Sequence, residues 1–262
     1  MTTAVPVPCR REPLRDHAGL AVRALITIAV IAVSISVPPA RAHEVLDAES
    51  AGRFPDKIER LNAVVAKGES AEERAEALYT LGQTVDRITD LLNRDLGSHG
   101  ELGLATTVLV NELKGHGIAL SFWPEANRYK SYPAPFERYV ALHPEGPRGA
   151  DALFRVLQGR FYDSFVYDPF QPVGLDWRGI VAQTEDAQVF LALYPDHPNK
   201  EEAFFILAVD YARAAREAPD GELARAYRGR ARATLKEFHE TYPDSLRAAA
   251  ARALLQSLPA AD

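Results

Sequence analysis

Aromatic and charged side chains gather in two stretches that interrupt an otherwise regular chain. Trp123, Glu125, Arg128 and Tyr129 fall within residues 118–135, and Asp163, Tyr167, Asp168 and Trp177 within residues 159–177. This mixture suits recognition, since rings supply contact area while Arg and Asp fix orientation. A carboxylate pair such as Asp163 and Asp168 can do acid–base work if the two groups face each other, although surface charge is the ordinary state of such residues. The same rings serve equally well as anchors for long loops folded back over helices. One geometric fact separates these readings: whether the two stretches converge on a single cavity.

Other chemistry has little support. Seven histidines occur, at positions 17, 43, 99, 116, 143, 197 and 239, and none stands three or four residues from another on a predicted helix. No metal pair of the HExxH kind is therefore expected. His143 and His197 lie in proline-bounded turns, where filling space or capping is the expected role. There is no G-x-S-x-G elbow, P-loop or dinucleotide fingerprint, and Gly100-Glu101-Leu102-Gly103 lacks the strand a phosphate loop requires. No cofactor is expected. His43 would carry a free α-amino group if a leader were cut before it, a copper-chelating arrangement that nothing else in the sequence supports.

The positioning elements are helical. Phe190–Tyr211 reads as the end of one helix, a turn and the start of another. Phe190, Leu191 and Tyr194 make an apolar stripe, Pro195 stops it, Asp196 and Pro198 shape the turn, and Phe204, Leu207, Ala208 and Tyr211 resume the period. The pattern recurs as Tyr139-x3-His143-Pro144-Glu145, Phe190-x3-Tyr194-Pro195-Asp196 and Phe238-x3-Tyr242-Pro243-Asp244. The prolines are 51 and 48 residues apart, and an alanine-rich helix follows each. Self-similarity at such periods signals stacked helical hairpins, because one hairpin cannot bury its own apolar face. Upstream, Pro55–Lys67 reads as a first helix stopped by Gly68. A Ser70-x-x-Glu73 capping box opens a second helix, ended by Gly97, and a third runs over residues 99–114 with Leu104, Val108 and Leu113 inward. A helix from about Arg148 follows, with Leu153, Leu157, Phe161 and Phe165 inward. No stretch shows sustained period-two alternation, so the expected class is all-α: about nine helices in antiparallel hairpins, interrupted by the two aromatic-rich stretches as irregular loops.

These residues resemble tetratricopeptide (TPR) repeats. Leu78, Leu81, Gly82 and Val85 fit the first-helix pattern, Phe204, Leu207, Ala208 and Tyr211 fit it with Ala for Gly, and Ala231, Leu235 and Pro243 fit the second-helix spacing. The segments YPDHPN and YPDS followed by Leu246-Arg247-Ala248 resemble the TPR-type periplasmic proteins of the bacterial envelope. These are the BamD-like lipoprotein of the outer-membrane β-barrel assembly machinery and the TolA-binding coordinator proteins. The best-matching repeats are residues 136–165, 187–215 and 235–258. The resemblance implies a right-handed solenoid and a non-catalytic protein–protein interaction scaffold in outer-membrane or envelope assembly, with a protein or peptide of the envelope as partner. The alternative is a small-ligand receptor or enzyme with its site at residues 118–135 and 159–177.

The front of the chain agrees with export. Arg10, Arg11, Arg15 and Arg23 precede Ala24–Val37, 14 residues without charge, and Ala40-Arg41-Ala42 is a small-x-small cleavage signal. Residues 1–42 are expected to be a signal peptide and residues 43–262 a single helical-repeat domain in the periplasm, with the outer membrane as the site the resemblance adds. Retention of the segment as an anchor, or a membrane-bound partner, would be the route to a membrane. The only cysteine, Cys9, precedes the apolar run, so this chain lacks the cysteine a lipid anchor would use. Without residues 1–42 the basic count falls from 30 to 25 and the acidic from 36 to 34, a net charge of −9. An acidic surface repels phosphates, so nucleic acid is not expected as a partner.

Overall fold

The computed structural model describes residues 48–124, 127–163 and 176–259. Among these are nine helices and one small hairpin: α1 (Ala48–Lys67), α2 (Ala71–His99), α3 (Leu104–Gly115), β1 (Leu120–Trp123), β2 (Arg128–Ser131), α4 (Ala134–Leu142), α5 (Gly149–Asp163), α6 (Trp177–Leu193), α7 (Lys200–Glu217), α8 (Gly221–Thr241) and α9 (Ala248–Ser257). The fold is all-α and built of helical hairpins. The expected signal segment, Phe165 and most of the second aromatic stretch lie outside the described residues.

The packing order nearly follows the chain. α1 packs on α2, α2 on α4, and each helix from α4 to α9 on its successor. The exception is α3 with the hairpin: α3 turns back onto α1, and β2 lies on α2. Residues 100–133 are thus an excursion between two helices that touch directly. Gly82 makes that touch possible, since a Cβ there would lie 2.6 Å from the ring of Phe136.

The three proline turns share one geometry. The backbone torsions at His143 are φ −148 and ψ 61, at Tyr194 −128 and 60, and at Tyr242 −127 and 59. In each, that residue's N–H bonds the carbonyl of the aromatic four before it, Tyr139, Phe190 or Phe238, at 2.8–2.9 Å. The following bonds repeat as well: Gly146 to His143, His197 to Tyr194, Ser245 to Tyr242, then Gly149 to Gly146, Lys200 to His197 and Ala248 to Ser245. Proline disfavours the α conformation in the residue before it, which favours the stop at these positions. The three aromatics are fully buried, as are Ala152, Ala203 and Ala251, each eight residues past its proline. A small side chain there lets the next helix close over the ring. At the middle turn the ring of His197 accepts the N–H of Asn199 at 3.1 Å. Its Nδ1 is thereby the acceptor, leaving Nε2 to donate to Asp151 at 3.1 Å.

The front half departs from expectation in its boundaries. α1 begins two turns before Pro55, because Ala51 and Phe54 join the core formed with α2 and α3, outweighing the backbone bond that proline lacks. α2 runs past Gly97 to His99, and Gly100 ends it in the left-handed conformation, φ 76, its N–H on Leu96 O at 2.8 Å. α3 starts at Leu104 rather than residue 99. Asp95 Oδ2 accepts from Gly103 N at 3.0 Å and from the Thr106 hydroxyl at 2.8 Å, an N-terminal cap supplied by the preceding helix. Leu104 and Val108, which the spacing places inward, are exposed, and Thr106, Leu109 and Leu113 face the core. The stretch 118–135, expected to be irregular, contains the antiparallel hairpin, with Leu120 paired to Ser131 and Trp123 to Arg128. Four-residue strands are too short for alternation to show. Asn127, at φ 47 with its N–H on Pro124 O, closes the turn; asparagine tolerates that left-handed position.

Candidate functional site

The hairpin stands against two polar helix faces. On α2, Asp86, Thr89, Asp90 and Asn93 step by three and four and share one side. On α5, Arg155, Gln158, Gly159 and Tyr162 do the same. Between them, with the hairpin as the third wall, lies a cavity of about 390 Å³, closed at one end by Glu202 of α7 and Arg247 before α9.

Polar bonds between distant parts of the chain fix the walls. The Asn93 side chain acts as an extra strand rung: its Oδ1 accepts from Tyr129 N at 2.6 Å and its Nδ2 donates to Tyr129 O at 2.9 Å. Ser131 Oγ donates to Asp86 Oδ1 at 2.9 Å, while Asp86 Oδ2 lies 3.8 Å from Arg155 Nε. Burial pushes the Asp86 carboxyl above its ordinary range, against the pull of Arg155 and Ser131. Glu202 accepts from Gln158 Nε2 at 2.8 Å, stands 3.4 Å from the Tyr162 hydroxyl and pairs with Arg247 Nη2 at 2.8 Å. Arg247 also reaches Glu201 at 3.5 Å, and Ser245 Oγ donates to Glu201 at 2.6 Å.

Aromatic surface lines the same space. Trp123 is almost wholly buried, and Lys130 Nζ lies 5.5 Å from its ring centre and 5.3 Å from that of Tyr162. An ammonium above two ring faces is held by their quadrupoles. Trp123, Arg128 and Lys130 share one hairpin face, because Trp123 pairs with Arg128 and residues two apart on a strand point the same way.

Of the eight residues singled out from the sequence, the cavity gathers Trp123, Arg128 and Tyr129. Trp177 is elsewhere. It opens α6 and does not line the cavity; its ring meets Tyr227 edge-on at 5.9 Å, in the apolar core that Trp123 also joins. Asp163 is the last residue of α5; Glu125, Tyr167 and Asp168 lie outside the described residues. Sequence reasoning missed Asp86, Asp90, Asn93, Lys130, Arg155, Gln158, Glu202 and Arg247. A signal was present for two groups: polar residues at 86, 90 and 93 and at 155, 158 and 162 carry helical spacing, each set on one side of its helix.

Among the described residues no three His, Cys, Asp or Glu side chains gather to hold a metal ion, and no helix is long and apolar enough to cross a membrane. Neither a protein-family model nor a curated protein matches the chain.

Proposed function

We propose that this chain is a non-catalytic binding scaffold of the cell envelope, holding a segment of a partner protein in the groove between α2, the hairpin and α5. One observation carries the reading: a non-repeating hairpin and two helical faces enclose a cavity lined by rings and charges. Two of its three carboxylates favour binding over acid–base work, since Glu202 is engaged by Gln158, Tyr162 and Arg247, and Asp86 by Ser131 and Arg155. The three identical turns support the TPR-like character, and the leader-like front supports export to the periplasm. The test is a photocrosslinking residue at Asp90, exposed on the α2 wall of the groove, in intact cells, with Lys236, 74% exposed on α8, as control. A discrete envelope-protein adduct from position 90 alone is expected; no adduct from the groove would overturn the proposal.

A second reading, a small-ligand receptor or enzyme, is favoured by the same cavity's size, which falls within the range of small-molecule sites. Native mass spectrometry of the purified chain distinguishes the two: a co-purifying small molecule displaced by Arg128→Ala would favour the receptor.

A further inference from the structure

The hairpin has one edge covered and one open. In an antiparallel pair, opposite residues alternate between pairs that exchange both backbone bonds and pairs whose N–H and C=O groups point outward. Tyr129 settles which pairs are which. Its N–H donates to Asn93 Oδ1 at 2.6 Å and its C=O accepts from Asn93 Nδ2 at 2.9 Å, so both groups point away from β1. Phe122, opposite Tyr129, therefore turns its own N–H and C=O away from β2. Leu120, two residues back and opposite Ser131, does the same. The outer edge of β2 is closed by the Asn93 amide and lies along α2. On the β1 side no helix lies alongside, and no further backbone bond reaches Leu120 or Phe122, among the described residues.

That open edge lacks the usual protections. Natural sheets blunt an exposed edge with charge, proline or a bulge. From Gly117 to Trp123 the chain carries no charged residue and no proline, and the register runs through all four pairs without a bulge. Phe122 is 42% exposed beside it, its ring 5.1 Å from that of Tyr129. A row of outward donors and acceptors next to an exposed ring suits an extended segment, whose backbone supplies the bonds and whose alternate side chains supply the contact.

We infer that β1 is a docking edge, on which an extended segment of a partner protein adds as a third strand. The segment exchanges backbone bonds with Leu120 and Phe122 and lays a β-branched or aromatic side chain against the Phe122 ring. A second copy of this chain fits the edge less well. Four residues of strand, about 13 Å long, bury far less than the about 1,200–2,000 Å² of a stable interface. An extended segment runs on past both ends of the strand and gathers further contact there. The surface is distinct from the groove, since neither Leu120 nor Phe122 lines it.

The experiment passes two pools of random octapeptides over the full chain, both alternating polar with β-branched or aromatic residues. In one pool two adjacent central amides are N-methylated, which blocks either edge of the peptide. The unmethylated pool should be retained, and methylation should weaken retention on the order of tenfold or more, the effect of losing backbone bonds. Amide exchange at Leu120 and Phe122 should slow in the bound chain. Phe122→Pro deletes an N–H that the hairpin does not use, the position at which edge strands accept proline. It should keep the melting temperature and lose retention. Phe122→Ala keeps that N–H, so it should bind more weakly and still respond to methylation. If Phe122→Pro disturbs the hairpin, methylation and amide exchange carry the test. Equal retention of both pools, unchanged exchange at Phe122 in the bound chain, or failure of the unmethylated pool to bind overturns the inference. A dimer seen by sedimentation and abolished by Phe122→Pro gives the edge to a second copy and overturns it too. The position-90 adduct tests the groove separately, so failure of the docking edge leaves that reading standing.

Discussion

Residues 134–258 and residues 48–131 hold themselves together by different means. In the later region three turns of one geometry set the helices side by side, and rings fill the seams: Phe154, Tyr194 and His197 around Phe190, and Phe204, Phe205 and Tyr242 around Phe238. The earlier region has an apolar core of its own, but polar clamps between remote residues tie its excursion down: Asn62 to His116, Asn93 to Tyr129 and Ser131 to Asp86. Local turns fix register cheaply, since each is specified by residues close together in the chain. Long-range clamps fix a wall that no local rule would place. The groove lies where these regions meet, with α2 and the hairpin on one side and α5 with the first turn of α7 on the other.

The contrast breaks most violently at a seam ring. Phe190→Ala removes a fully buried ring touched by three others and should destabilise the chain by about 3–5 kcal/mol. Urea unfolding followed by helical circular dichroism reads it. A loss below about 1 kcal/mol would mean that the turn, not the ring, carries the seam.

The difference between the regions is also the difference in legibility. The proline turns are readable through Tyr139, Phe190 and Phe238, because proline and a large apolar residue act within one helix end. The all-α class follows from the same periodicity. The start of α3 is misread from sequence because it depends on Asp95, eight residues before Gly103 and on another helix. The hairpin is hidden because Asn93 is 36 residues from Tyr129. Trp123, Arg128 and Tyr129 are visible as an unusual composition, but Glu202 and Arg247 look like ordinary helix-end charges until α5 is packed against them.

Within the ring-packed region one polar pair violates the pattern. Asp210 and Arg213 of α7 are both buried and bonded at 2.9 Å, and the second Asp210 oxygen has no hydrogen-bond partner. Burial pushes the Asp210 carboxyl up to about 7, the Arg213 guanidinium opposing it. A raised folded value means the folded chain holds a proton that the unfolded chain releases. Stability therefore falls as pH rises from about 4 towards 7, by an amount on the order of a few kcal/mol. Asp210→Asn should remove that part of the slope. Melting temperatures of both proteins at pH 5 and pH 7.5 check it, and parallel curves would show that Asp210 does not titrate there.

The clamps predict a more local failure. Asn93→Ala deletes both bonds to Tyr129 and should cost about 1–3 kcal/mol, mostly as detachment of the hairpin. Hydrogen exchange should quicken across residues 120–131 while the turns at 143, 194 and 242 keep their protection. Uniform acceleration along the chain would show instead that both regions unfold as one unit.

Arg160 sharpens the comparison from the other side. It donates to Glu137 at 2.9 Å and to Asp186 at 2.7 Å, so it bridges α4, α5 and α6 within the ring-packed region. By geometry alone it is a tie of the same kind as Asn93. All three side chains are more than a third exposed, however, and water screens what they gain. If rings and turns suffice there, Arg160→Ala should cost no more than about 1 kcal/mol, and added salt should erase most of that. A loss as large as that of Asn93→Ala, insensitive to salt, would mean that polar ties hold the ring-packed region too, and the division between the two regions would fall.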